Sequence, residues 1–163
     1  MKTTDKMLIG IVVAIVLLIV AALAITLMRP EPTYGAEDTP EGVTHNYLLA
    51  LQREEFERAF GYLSPTLKGY PATVERFVDN IHDNSWSFRL DTDTTLMVKS
   101  ASITGNNAIV RVRESRFEGG DLFGSGQSTL DIEMQLHRED GEWKIVYGSD
   151  YFAVCWNQAE GCK

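Results

Sequence analysis

The longest apolar run of the chain, MLIGIVVAIVLLIVAALAITLM over residues 7–28, contains no charged residue. As a helix rising about 1.5 Å per residue it is about 33 Å long, enough to cross a hydrocarbon core of about 30 Å. It is longer than the ~7–15 residues of a signal-peptide core, and its alanines lie inside the run rather than at a cleavage site behind it. The expectation is one uncleaved transmembrane helix. Behind it, RPEPTYGAEDT (residues 29–39) is rich in proline and acid and reads as a linker.

The period then becomes helical. Thr39 is a good N-cap and Pro40 suits the first helical position. Val43, Tyr47, Ala50 and Leu51, then Phe56, Ala59, Phe60 and Leu63, recur at three- and four-residue steps, with an irregularity near Arg53. Ser64-Pro65 starts a short turn that ends at Gly69, Tyr70 and Pro71. A second helix is expected from about Ala72 to Asp83, with Val74, Phe77, Val78 and Ile81 on one face.

From Trp86 the period is two. Trp86, Phe88 and Leu90 predict a strand; residues 94–104 predict another, with a bulge where the apolar parity switches between Val98 and Ala101. Gly105-Asn106-Asn107 predicts a turn, and Ala108, Val110 and Val112 one face of the next strand. Residues 119–126 form a glycine-rich connection. Leu130, Ile132, Met134 and Leu136 then alternate with polar residues, Asp140-Gly141 predicts a hairpin, and Trp143, Ile145 and Tyr147 a last strand. The sum is an α+β domain over residues 40–163: two to three helices on a curved, mainly antiparallel sheet of about five strands.

Charge sets the orientation. Lys2 and Lys6 precede the apolar run and acids dominate after it, so residues 1–6 are expected in the cytoplasm and the domain outside. The chain after residue 28 holds 13 basic and 22 acidic residues, which argues against a nucleic-acid partner. Cys155 and Cys162 are the only cysteines, and outside the cytoplasm they are expected to close a small loop. Their spacing fits neither a zinc site nor a redox motif.

The segment TPEGVTHNYLLALQREEFERAFGYLSP and the hairpin LHREDGEWKIV resemble the nuclear-transport-factor-two-like superfamily, the cone-shaped fold shared with SnoaL-like proteins. The resemblance covers about residues 40–154. The family's additional helix between its first strands has no room at residues 91–94. The resemblance implies a conical pocket between helices and sheet, used by isomerases and dehydratases for catalysis, by other members for small ligands, or an outer sheet face used for dimerisation. The residues expected around such a pocket are Tyr47, Leu51, Phe77, Trp86, Phe88, His82 and Asp79. Tyr47 stands where the isomerases place a catalytic tyrosine. Their base would fall at Asp83 or Asp91. The second inward-pointing acid they need is not evident, because Asp131 and Glu133 alternate with the apolar face and point outward.

Other patterns have simpler readings. Asp91-Thr92-Asp93-Thr94-Thr95 matches the string of aspartate-nucleophile phosphatases, but only strands follow it. It lacks the glycine and distal glutamate of a calcium loop, leaving at most a weak calcium contact at Asp91 and Asp93. The glycine-rich residues 119–126 lack the lysine and helix of a phosphate loop; Leu122 and Phe123 at the tip remain candidates for contact with a ligand, a partner or the bilayer. Arg111 and Arg113 are expected to pair across strands with Asp131 and Glu133. His82 and Asp79 have the spacing of an acid–base pair, though a histidine at a helix end more often serves the dipole. His45, His82 and His137 do not cluster. No catalytic residue, metal or cofactor is indicated. The expected function is a membrane-anchored external domain that binds a small apolar ligand or a protein without catalysis, with a pocket enzyme or a dimerisation module as alternatives.

Overall fold

The computed structural model describes residues 3–28, 31–90, 94–118 and 126–162. The chain divides into two units, Met1–Thr33 and Tyr34–Lys163. The first holds helix α1 (Thr3–Leu27). Its Met7–Ala24 stretch has a mean hydropathy of 3.3, and the helix is long and apolar enough to cross a membrane by length and composition.

The second unit begins earlier than the pattern indicates. Residues 34–38 dock on the domain instead of spacing it. Asn46 accepts from the Gly35 N–H (2.7 Å) and donates to the Gly35 carbonyl (3.0 Å). Glu37 accepts from Tyr62 and Arg58. Gly42 permits this approach, since a Cβ there would lie 1.7 Å from the Ala36 carbonyl oxygen. Helix α2 (Pro40–Gln52) is capped by Thr39, whose hydroxyl accepts from the Gly42 N–H. The irregularity near Arg53 is a break: Glu54 takes a left-handed φ of 57°, and a separate helix, α3 (Phe56–Gly61), follows it. Helix α4 (Val74–Asp83) is capped by Thr73.

The strand expected at Trp86–Leu90 is instead a single helical turn, α5 (Ser85–Phe88). The alternation of three apolar residues is too short to require a ladder, and burial divides differently. Ser87 and Phe88 both point inward, while Trp86 is 70% exposed. Arg89 closes the turn at a φ of 47°.

Four antiparallel strands follow in the order β1 (Thr94–Thr104), β2 (Asn107–Glu118), β3 (Gly126–Glu139) and β4 (Glu142–Gly148). The expected bulge is present between Val98 and Ser100. A second shift, at Gln135/Leu136, sets Tyr147 opposite Gln135 on the outer face instead of continuing the inward row of Trp143 and Ile145. In place of a fifth strand, residues 62–64 pair in parallel with β4: Ile145 donates to the Tyr62 carbonyl and Ser64 donates to that of Ile145, both at 2.9 Å. Asp140 and Gly141 have φ of 50° and 92°, the left-handed pair that a two-residue hairpin demands. Arg111 opposes Glu133 and Arg113 opposes Asp131, as the alternation predicts. Arg113 grips Asp131 through two hydrogen bonds of 2.8 and 3.1 Å, and this pairing holds the Asp131 carboxyl below its usual range.

Candidate functional site

The space between helices and sheet, where a conical pocket is expected, is occupied by the chain's own C-terminal segment. After β4 the backbone turns back at Tyr151 (φ 54°) and runs inward through a 3-10 turn at Val154–Asn157. Trp156 fills the centre and is fully buried. Its ring stacks on Phe77 (5.3 Å between centroids) and meets Phe152 (4.9 Å) and Phe88 (5.8 Å) edge-on. Its indole N–H donates to Asn80 Oδ1 at 3.0 Å, satisfying a side chain that α4 turns inward. Cys155 and Cys162 join as a disulfide and close the loop that carries this tryptophan. Gly69 lies directly beneath it, donating to the Trp156 carbonyl at 2.9 Å.

The residues expected to surround a pocket therefore separate. Tyr47, Leu51, Phe77 and Phe88 belong to the packed core. The Tyr47 hydroxyl donates to the Tyr151 carbonyl at 2.6 Å, and burial holds its pKa well above the ordinary value. Trp86 is on the surface. Asp79 pairs with Arg76 at 3.5 Å rather than with His82. His82 lines a cavity of about 140 Å³ that reaches inward to Ile81 and Phe88. Asp83 is exposed, while Asp91, Asp93, Leu122 and Phe123 fall outside the described residues.

Beside the aromatic cluster lies a polar one that the sequence reading missed. Glu114, 3% exposed, points inward from β2 and is the acid that seemed lacking. It accepts from Arg89 (2.8 Å), Arg116 (3.0 Å) and the Tyr151 hydroxyl (3.0 Å). Arg89 also pairs with Asp150. The signal was available: Ala108, Val110 and Val112 share one strand face, and Glu114 and Arg116 are next on that face. Burial pushes the Tyr151 hydroxyl up to about 12. Two guanidinium groups balance two carboxylates here, so the burial of these charges is compensated internally.

No known family profile matches the chain. No curated protein sequence matches it either. Several solved structures are similar at low identity. A SEC-C motif-containing protein from Rhodopseudomonas palustris is 18% identical, with a TM-score of 0.49 over 71% of this chain and 81% of its own. An NTF-2-like protein of unknown function from Shewanella oneidensis is 10% identical, with a TM-score of 0.44 over 65% and 90%. A protein of unknown function with a cystatin-like fold from Nostoc punctiforme is 13% identical, with a TM-score of 0.44 over 65% and 82%.

Proposed function

We propose that this chain is a single-pass membrane protein whose domain lies outside the cytoplasm and binds a protein partner without catalysing a reaction. The observation that carries this reading is the filled interior. Trp156, Phe152, Phe77 and Phe88 occupy the place where a cone-shaped relative would hold a ligand. Among the described residues, the cavity that reaches Ile81 and Phe88 holds about 140 Å³, below the roughly 300–1,000 Å³ of ordinary ligand sites. The inward acid, Glu114, is fully engaged by two arginines and a tyrosine. The anchor rests on the length and hydropathy of α1, the orientation on the lysines before it and the acids after it.

Native mass spectrometry of the full chain, released from detergent, tests the reading. The expected species carries no small molecule besides detergent or lipid. A stoichiometric, non-lipid adduct would return weight to a ligand-binding or enzymatic pocket. Protease protection in sealed vesicles tests the orientation: residues 34–163 are expected to be digested only from the face opposite residues 1–6.

A further inference from the structure

We infer that the groove between α3 and α4 is the docking site for a basic amphipathic helix of a partner protein, anchored by one large apolar side chain. This rests on the partner-binding reading and adds the surface and the partner's chemistry.

The groove is shallow and open to solvent, with a volume of about 830 Å³. Its floor is apolar: Phe56 from α3 and Val74 and Val78 from α4 are each partly buried and leave some of their side chain to the groove. Its rim is acidic: Glu54, Glu55, Glu57, Glu75 and Asp79 face a single lining cation, Arg58. That guanidinium is turned away from the groove's acids. It bonds Glu37 and the Tyr62 hydroxyl at 3.1 Å each and stacks over the Tyr34 ring at 3.4 Å. Among the described residues, Glu54, Glu57 and Glu75 have no cation within ion-pair distance. An apolar floor edged by five carboxylates, of which Asp79 and Glu55 pair with Arg76 and Arg53 while Glu54, Glu57 and Glu75 do not, matches the two faces of a cationic amphipathic helix.

The groove also has a deep point. Glu54 and Phe56 line both the groove and the 140 Å³ cavity that ends at Ile81 and Phe88. Phe56, Ile81, Phe88 and Leu90 form its apolar walls, with Glu54, His82 and Ser85 the polar part of the lining. Its volume is close to the roughly 150 Å³ that takes a benzene ring, which suits a phenylalanine-sized anchor of the kind that dominates binding energy at interfaces. Glu54 sits at the junction, held in its left-handed conformation by the break between α2 and α3. Trp86, adjacent in sequence to the cavity-lining Ser85, leaves an indole in solvent.

Charge decides against other occupants. A second copy of this domain is itself acidic, and the arginines of its outer sheet, Arg111 and Arg113, already face Glu133 and Asp131. Nucleic acid and anionic lipid would meet five carboxylates.

The test uses the full chain in phosphatidylcholine nanodiscs. The probe is a labelled eighteen-residue Ala/Arg helix carrying one Phe, read by fluorescence anisotropy against empty nanodiscs. Saturable binding is expected, about tenfold weaker when the peptide's Phe becomes Ala. It should also weaken about tenfold with Glu54→Lys/Glu57→Lys, and several-fold between 50 and 200 mM salt. Glu133→Lys on the outer sheet should leave it unchanged. Circular dichroism and thermal melting confirm that the variants fold. The inference is overturned if no saturable binding is seen, if an Ala/Glu peptide binds as well, or if Glu133→Lys weakens binding as much as the groove variant. Each of these outcomes leaves the native mass of the chain unchanged, so loss of the groove stays distinguishable from loss of the non-catalytic reading.

Discussion

Replacing Trp156 probes the filled interior directly. The side chain is fully buried, touches three aromatic rings and gives its only N–H to Asn80. Trp156→Phe keeps one ring but leaves Asn80 Oδ1 buried without its donor, a loss of about 1–3 kcal/mol. The missing second ring raises the total to about 2–4 kcal/mol by the cavity it leaves. With a urea dependence of about 1–3 kcal/mol per molar, the unfolding midpoint of the full chain in mild detergent should fall by about 1–2 M. Trp156→Ala should cost about 3–5 kcal/mol, the indole-shaped void it opens included. If that variant folds, indole should raise its stability with concentration and leave the parent chain unaffected. A Trp156→Phe loss below about 0.5 kcal/mol, the range of a surface position, would refute the packing described here.

Other perturbations follow from the same contacts. Arg89→Ala leaves Glu114 without its closest cation and should cost about 3–5 kcal/mol by chemical denaturation, whereas Arg113→Ala on the outer sheet should cost less than about 1 kcal/mol. Gly69→Ala would place a methyl group 2.3 Å from the Cys155 carbonyl oxygen and 2.7 Å from that of Gln158. It should lower stability by about 1–3 kcal/mol and speed reduction of the disulfide by dithiothreitol, followed by thiol labelling. Tyr151 titrates at about 12 in the folded chain against 10.0 for an ordinary tyrosine, so the folded state holds its proton longer. That advantage is complete below pH 10 and disappears as pH rises through 12. The stability gap between the parent chain and Tyr151→Phe should therefore be constant from pH 8 to 10 and narrow above it, as urea titrations would show.

Local signals in the sequence served well where one physical cause dominated. Thr39-Pro40 begins α2, Val98/Ala101 marks the bulge, and Asp140-Gly141 turns the last hairpin, because caps, parity and left-handed turns are properties of a few neighbouring residues. The misreadings share a different cause. Trp86, Phe88 and Leu90 alternate like a strand, yet Ser87 is drawn inward by the Phe152 carbonyl, a partner 65 residues away. Residues 34–38 look like a spacer, but Asn46 and the open flank of Gly42 hold them against α2. Tyr147 follows the parity of Ile145 in sequence and leaves it in space, because the register slips by one residue. For the site, Tyr47, Phe77 and Phe88 are inward as expected, but the residue that fills the space between them is Trp156. It lies beyond the family-like segment, within a loop closed by a disulfide. Glu114 was legible by parity alone, and its meaning depends on Arg89, Arg116 and Tyr151, which only the fold brings to it.

Hydrogen exchange at the tryptophan indoles tests the filled interior most directly. In full-length chain labelled with ¹⁵N-tryptophan, the Trp156 N–H, buried against Asn80, should exchange far more slowly than that of Trp86, which is 70% exposed. Its resonance should also stay fixed when indole, too large for the cavity of about 140 Å³ beside Phe88, is added. A Trp156 side chain that exchanges as fast as Trp86, or that shifts saturably with added indole, would contradict the closed core and reopen the interior as a binding site.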